Sequence, residues 1–288
     1  MNSEAALDPL ITVVMPVYNG EKYLREALQS LVQQDFAHWT AIVVDDGSID
    51  GSAEIARTFP DSRVRVHTYD TKRGISVALN VGIKLADTEF IARLDADDIA
   101  LPQRFRVQFD FLQQNPGVGV VGTWAEVFGG RSMAIEPPTS HNQLVAEMLW
   151  RNPIVHSSVM FRKSAFSRES GPYRSEWEPC EDYDLWTRLC SQVEIAVIPQ
   201  TLTRHRVHPE QISATGHGPD SEKEKRTAIA FRHRAALDFT PGRSVLPISF
   251  LAANFSRFFS PAWPATVQRR LVVAAFFRWF RNRLRGMN

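Results

Sequence analysis

Three aspartates occupy four positions in ARLDADDIALPQRF (residues 92–105): Asp95, Asp97 and Asp98. Ionised and unaccompanied, they repel one another. A hard divalent cation relieves that repulsion, because it takes oxygen ligands and leaves places for water and substrate phosphates. Two carboxylates one residue apart can divide the work, one on the metal and one on a neighbouring hydroxyl. Asp98 also suits the cap of the helix that follows. A second cluster, VVDDGSIDG, carries Asp45 and Asp46, acceptor-only side chains of the kind that hydrogen-bond a ribose or a base. Gly47 and Gly51 let the chain turn tightly there; the plainer alternative is a strand-to-helix loop capped by Ser48 or Asp50. A third, CEDYDLWTRL, sets Glu181 and Asp182 where a helix begins, a place the helix dipole already favours for acids.

These residues need elements to hold them. ITVVMP (11–16), TAIVVDD (40–46), VRVHTY (64–69), FIARL (90–94) and VGVVGTWAEVF (118–128) read as strands. Between them EKYLREALQSLVQQ (21–34) places Leu24, Ala27, Leu28 and Leu31 on one helical face, and SAEIARTF (52–59) and ISVALNVGIKLA (75–86) also read as helices. After Pro102 a further helix aligns Phe105, Phe109 and Leu112. Alternating strands and helices imply right-handed βαβ units and an α/β fold with a mostly parallel central sheet flanked by helices. Ligands then bind beyond the carboxyl ends of the strands. PVYNG, DDGSIDG and DADD stand at three such ends and are expected to share one crevice. Past residue 130 the pattern loosens: 141–150 and 181–191 read as helices, 157–162 and 193–199 as extended, and 220–288 as largely helical with interrupting prolines.

MPVYNGEKYLREALQSLVQQDF, VVDDGSIDGS, KRGISVALNVGIKLA, DADD and EDYDLW, in that order over residues 10 to 213, resemble family 2 inverting glycosyltransferases, which use nucleotide-sugars and have the glycosyltransferase-A fold. The resemblance implies that Pro16, Val17 and Tyr18 line the base and that Asp46 accepts a hydrogen bond from a uracil or thymine ring. Arg73 would meet base or phosphate, and Asp95 the ribose or sugar. Asp97 would hold Mg²⁺ or Mn²⁺, with His208 as a further ligand and Asp98 sharing either role. Asp182 would be the general base, taking the acceptor's proton as its hydroxyl attacks the anomeric carbon. Trp186 would wall the acceptor sugar, and Arg206 would touch phosphate. His156 is a positional candidate, and Glu178 and Asp184 are weaker alternatives for the base. The resemblance also implies a UDP-sugar donor and a saccharide acceptor, free or lipid-linked, in cell-surface polysaccharide or lipopolysaccharide synthesis. No Q-x-x-R-W follows the 181 helix, so one transfer per encounter is expected. A sugar-nucleotide nucleotidyltransferase would want a Gly-rich basic loop after the first strand, and PVYNGEKYL is not one. A non-catalytic sugar-nucleotide binder would lack the base or the aspartate pair, and both are present.

The expected division is a catalytic domain over 1–215, with a nucleotide half at about 10–123 and an acceptor half at about 124–215, then a helical extension over 216–288. With 44% hydrophobic residues in 288, a sizeable core is available. A net charge of +1 gives no reason to expect nucleic acid, and two cysteines without ligand spacing suit a reducing compartment. The charge is uneven: after Asp238 there is no acid, while Arg243, Arg257, Arg269, Arg270, Arg278, Arg281, Arg283 and Arg285 lie among Phe and Trp. Such a segment either lies in a membrane interface or packs on a domain or a second subunit. The expected location is cytoplasmic, peripheral at the inner face of the cell membrane, with homodimerisation the alternative use of the tail.

Overall fold

The computed structural model describes residues 8–166, 171–211 and 219–236. The arginine-rich tail over 249–288, and the membrane and dimer expectations attached to it, lie outside them. The chain forms two compact units, Met1–Ile229 and Ala230–Asn288.

In the first unit β1 (Ile11–Val17) leads to α1 (Glu21–Val32), β2 (Trp39–Asp45), α2 (Ser52–Arg57), β3 (Val64–Thr68), α3 (Ile75–Leu85) and β4 (Phe90–Arg93). Leu24, Ala27, Leu28 and Leu31 of α1 are buried, as the 3.6-residue spacing requires. β1 pairs in parallel with β2 on one side and β4 on the other, with Val17 opposite Asp45 and Val14 opposite Arg93. The chain therefore crosses over β1 between β3 and β4. That crossover opens a crevice at the carboxyl ends of these strands, the place where open α/β sheets bind ligands.

Beyond β4 the sheet becomes mixed. β5 (Ile99–Ala100), α4 (Arg104–Gln114), β6 (Val118–Phe128), β7 (Met133–Ile135), α5 (His141–Glu147), β8 (Met160–Arg162), α6 (Glu181–Leu189) and β9 (Glu194–Arg206) follow, then α7 (Pro219–Ala236). The strand order is β3-β2-β1-β4-β8-β6-β9-β5, with β7 on β6. β8 runs antiparallel to both β4 and β6, while β6 and β9 pair in parallel, so the parallel order expected from the sequence holds for β1–β4 and again for β6 with β9. β5 pairs antiparallel with the end of β9, Ile99 opposite Arg204. This short pairing returns Arg206 and His208 to the aspartates from more than a hundred residues away.

Under the aspartate turn lies a buried polar network carried by α4. Arg104 Nη2 donates to the carbonyls of Arg93 (2.8 Å) and Val159 (3.0 Å), and its Nε to Gln108 Oε1. Gln108 Nε2 donates to the carbonyls of Val121 (3.0 Å) and Ser158 (2.8 Å). Both side chains are fully buried. Most of their donors find acceptors, four of these being main-chain carbonyls, and the result ties β4, β6 and the approach to β8 to one helix. Among the described residues, no helix is long and apolar enough to cross a membrane.

Candidate active site

The loops after β1 and β2 interlock. Ser48 Oγ accepts from the Asn19 amide (2.9 Å), Asn19 Oδ1 accepts from the Ile49 amide (3.0 Å), and Glu21 Oε2 accepts from the Gly51 amide (2.7 Å). Gly47 sits at φ 74°, and a Cβ there would stand 2.6 Å from the main chain of Thr71, so only glycine lets the loop after β2 approach the loop after β3. Asp46 is buried, and its two oxygens accept from the amides of Arg73 (2.8 Å) and Gly74 (2.9 Å). Burial raises its pKa, while those two amides pull it back. Asp45 is also buried; its Oδ1 accepts from the Ser48 amide, and its Oδ2 has no partner among the described residues. Pro16 and Val17 end β1 beneath this floor. At the rim Lys72 Nζ lies 4.0 Å from the centre of the Tyr18 ring, and the Arg73 guanidinium 4.3 Å from that of Tyr69.

Asp95, Asp97 and Asp98 each bring a carboxylate oxygen within 4.8 Å of the others. Their surroundings separate their roles. Asp98 is fully buried: its Oδ1 accepts from the Arg206 amide (2.7 Å), and Oδ2 lies 3.0 Å from His205 Nδ1. Burial works against a charge on His205, but Asp98 outweighs it and raises the imidazole pKa to about 9. Asp98 is thereby the anchor of β9. Asp97 Oδ2 lies 2.9 Å from His208 Nε2, and burial, then the charges of Asp95 and Asp98, push its carboxyl up to about 6. Oxygen donors crowded to this degree, with an imidazole beside them, fit Mg²⁺ or Mn²⁺. Asp95 is held from behind by Arg93 and by Ser157, whose hydroxyl donates to Asp95 Oδ2 (2.8 Å) and accepts from Arg93 Nη1 (2.7 Å).

Arg206 does not offer the free guanidinium expected of a phosphate contact. Its Nε donates to the Asp97 carbonyl (2.8 Å) and its Nη2 to Glu26 (2.5 Å), and the group is stacked 4.5 Å from Tyr23 and 4.3 Å from Phe128. It latches β9 to α1 and to the aspartate turn.

Asp182, half-buried at the start of α6, accepts from Asn152 Nδ2 (2.6 Å) and from its neighbour's amide at Tyr183 (2.7 Å). Burial raises its pKa. Glu181 beside it is buried, and burial, then the proximity of Asp182, push its carboxyl up to about 8. Burial raises both carboxyls and each opposes the other's charge, so the two titrate as a pair. His156 Nδ1 is 3.9 Å from Glu181, its Nε2 is 2.8 Å from the Tyr173 hydroxyl, and burial, then Arg93, hold its pKa well below the ordinary value. Trp186 is wholly buried, with its ring edge-on to His156 at 5.9 Å; it supports the site from inside and cannot wall an acceptor. Asp184 is fully buried against Arg188, and Glu178 is docked on the start of α3, so neither faces an incoming hydroxyl.

The three-residue turn His156–Ser158 touches both halves: Ser157 holds Asp95, and His156 adjoins Glu181 and Trp186. Arg93, Ser157, Asn152 and Tyr173 were not singled out from the sequence. Within the turn itself, the sequence pointed only to His156.

A family model described as "Glycosyl transferase family 2" matches residues 12–168, more than half of the chain. The O-antigen biosynthesis glycosyltransferase WbnJ of Escherichia coli is 28% identical over 209 residues, covering 69% of this chain and 80% of its own. Two solved structures share the fold. Staphylococcus aureus TarS 1–349 in complex with UDP-GlcNAc superposes with a TM-score of 0.65 at 19% identity, over 94% of this chain and 79% of that one. The mannosyltransferase PcManGT of Pyrobaculum calidifontis, in complex with GDP-Man and Mn²⁺, gives 0.57 at 19%, over 95% and 87%. Since the matched span carries the interlocked loops after β1 and β2, the aspartate turn and Ser157, the chain belongs to glycosyl transferase family 2 and is a glycosyltransferase with the glycosyltransferase-A fold.

Proposed function

We propose that the enzyme is an inverting, metal-dependent, non-processive transferase that moves a sugar from a UDP-sugar to a saccharide acceptor. One observation carries the proposal: the turn His156–Ser158 joins the Asp95 side of the crevice to the Glu181–Asp182 start of α6. On this reading Asp182 accepts the proton of the acceptor hydroxyl. The hydroxyl oxygen bonds to the anomeric carbon from the face opposite the diphosphate, whose bond to that carbon breaks, and configuration inverts. Glu181, raised by burial and then by the neighbouring Asp182, titrates with that base as one pair. Asp97 and His208 would hold Mg²⁺ or Mn²⁺, which when bound neutralises charge developing on the leaving diphosphate. Asp95 orients the ribose or sugar, Asp46 or Asp45 reads the base, and Arg73 lies at the rim.

The relative WbnJ, an O-antigen biosynthesis glycosyltransferase, supports a role in cell-surface polysaccharide or lipopolysaccharide assembly. A basic, aromatic segment over 249–288, without acids, supports attachment to an anionic membrane surface. The catalytic domain is assigned to 1–215 and the extension to 216–288.

A thermal-shift screen of UDP-, dTDP- and GDP-sugars, with and without Mn²⁺, tests the assignment. A ligand at about 1,000 times its dissociation constant adds roughly 4 kcal/mol to the native state. The expected result is a Tm rise with UDP-sugars that depends on Mn²⁺. A rise with none of the panel, or one indifferent to the metal, would refute it.

A further inference from the structure

We infer that Glu178 is a positioning residue that fixes the base helix α6 to the loop holding the donor, using α3 as the common seat. The inference rests on the transferase reading above. Glu178 Oε1 accepts from the Ser76 amide at 2.8 Å, in the first turn of α3. One turn further along the same helix, Asn80 pairs with both main-chain groups of Tyr173: its Nδ2 donates to the carbonyl (2.8 Å) and its Oδ1 accepts from the amide (3.0 Å). The segment entering α6 is thus tied to α3 at two points four residues apart.

The segment is itself wound tightly between those ties and the base. The Trp177, Glu178 and Cys180 amides donate to the carbonyls of Arg174, Ser175 and Trp177, and the Asp184 amide donates to Cys180 inside α6. Lys225 donates to the Glu178 carbonyl. With so few free torsions between Glu178 and Asp182, a shift at one is carried to the other.

The same end of α3 is gripped from the donor side. Asp46 takes the amides of Arg73 and Gly74, and Glu178 takes that of Ser76. Gly74 lies between the two acids at φ 103°, and a Cβ there would stand 2.9 Å from both Glu178 carboxylate oxygens. Two carboxylates from distant parts of the chain therefore share one four-residue stretch, and its glycine makes room for the second. A misplacement of about 1 Å at a reacting group costs on the order of 100-fold in rate.

The test uses the full chain and three readouts: the dissociation constant of UDP with Mn²⁺, the rate of UDP release from a saturating UDP-sugar, and Tm. Glu178→Ala is expected to slow UDP release by about 10- to 100-fold while the UDP dissociation constant stays near wild type. Glu178→Gln, whose amide oxygen still accepts from Ser76, restores most of the rate; Glu178→Asp, one methylene shorter, does not. If Glu178→Ala fails to fold, the Gln and Asp pair decides. Wild-type rates in Glu178→Ala, equal losses in Gln and Asp, or a rise in the UDP constant matching the rate loss would each overturn the inference. A wild-type chain that binds no UDP with Mn²⁺ would instead sink the transferase reading beneath it, together with this inference.

Discussion

His208 and Asp97, 111 residues apart in the chain, meet with Nε2 2.9 Å from Oδ2. The His208 ring also leans on Tyr23 of α1, with ring centres 4.7 Å apart, so it is held from two elements. If this pair grips the cation, His208→Ala weakens UDP binding in Mn²⁺ by on the order of 10- to 100-fold. With chelator present, variant and wild type bind UDP alike. Titration calorimetry measures both; equal affinities in Mn²⁺ would remove His208 from the metal site.

Asp182→Asn keeps the Asn152 and Tyr183 neighbours but loses the basic oxygen. Turnover should fall by about 100- to 10,000-fold, with UDP affinity in Mn²⁺ unchanged. An Asn variant that still turns over would move the base elsewhere.

Glu181 sets a pH signature in stability. Its carboxyl is pushed from 4.5 to about 8, so between those values the native state keeps a proton that the unfolded chain releases. Stability contributed by this group is present below pH 4.5 and is lost as pH rises through about 8. Glu181→Gln cannot titrate, and its Tm relative to wild type should improve steadily from pH 5 to pH 8. Calorimetric scans across that range check the sign, and a gap that stays constant or narrows would contradict the buried, protonated state.

Trp186 supports the site only through packing. Trp186→Ala should cost about 3–5 kcal/mol of stability. The milder Trp186→Phe should lower Tm and leave UDP release at saturating donor unchanged; a specific rise in acceptor KM would restore it to the acceptor surface.

Removal of residues 267–288 takes away six of the eight tail arginines. Each contributes on the order of 1 kcal/mol at an anionic leaflet. The full chain should float with vesicles containing phosphatidylserine and the truncated one should not; equal flotation would point the tail at protein.

The first half of the fold was legible from its apolar pattern: Leu24, Ala27, Leu28 and Leu31 declare α1, and β1 is a nearly continuous apolar run, as suits a strand buried along its whole length. The convergence of three strand-end clusters followed from topology alone. Trp186 was misjudged because α6 is buried nearly all round, so periodicity does not say which side meets a ligand. Arg206 looked like a phosphate contact because nothing local announces that Tyr23, Glu26 and Phe128 surround it. Ser157 and Asn152 escaped notice for the same reason: a small polar residue acquires meaning only from the buried group it happens to reach.

The Arg104–Gln108 pair has a bearing on engineering. Those two side chains hold the main chain of β4, β6 and the bend before β8 from a helix that follows the acidic turn in sequence. Transplanting ARLDADD alone into a foreign scaffold would carry the carboxylates without the fasteners that space them. The smallest portable cassette extends through Gln108 and brings the carbonyls of Val121, Ser158 and Val159 along, so chimeras should be spliced beyond Val159.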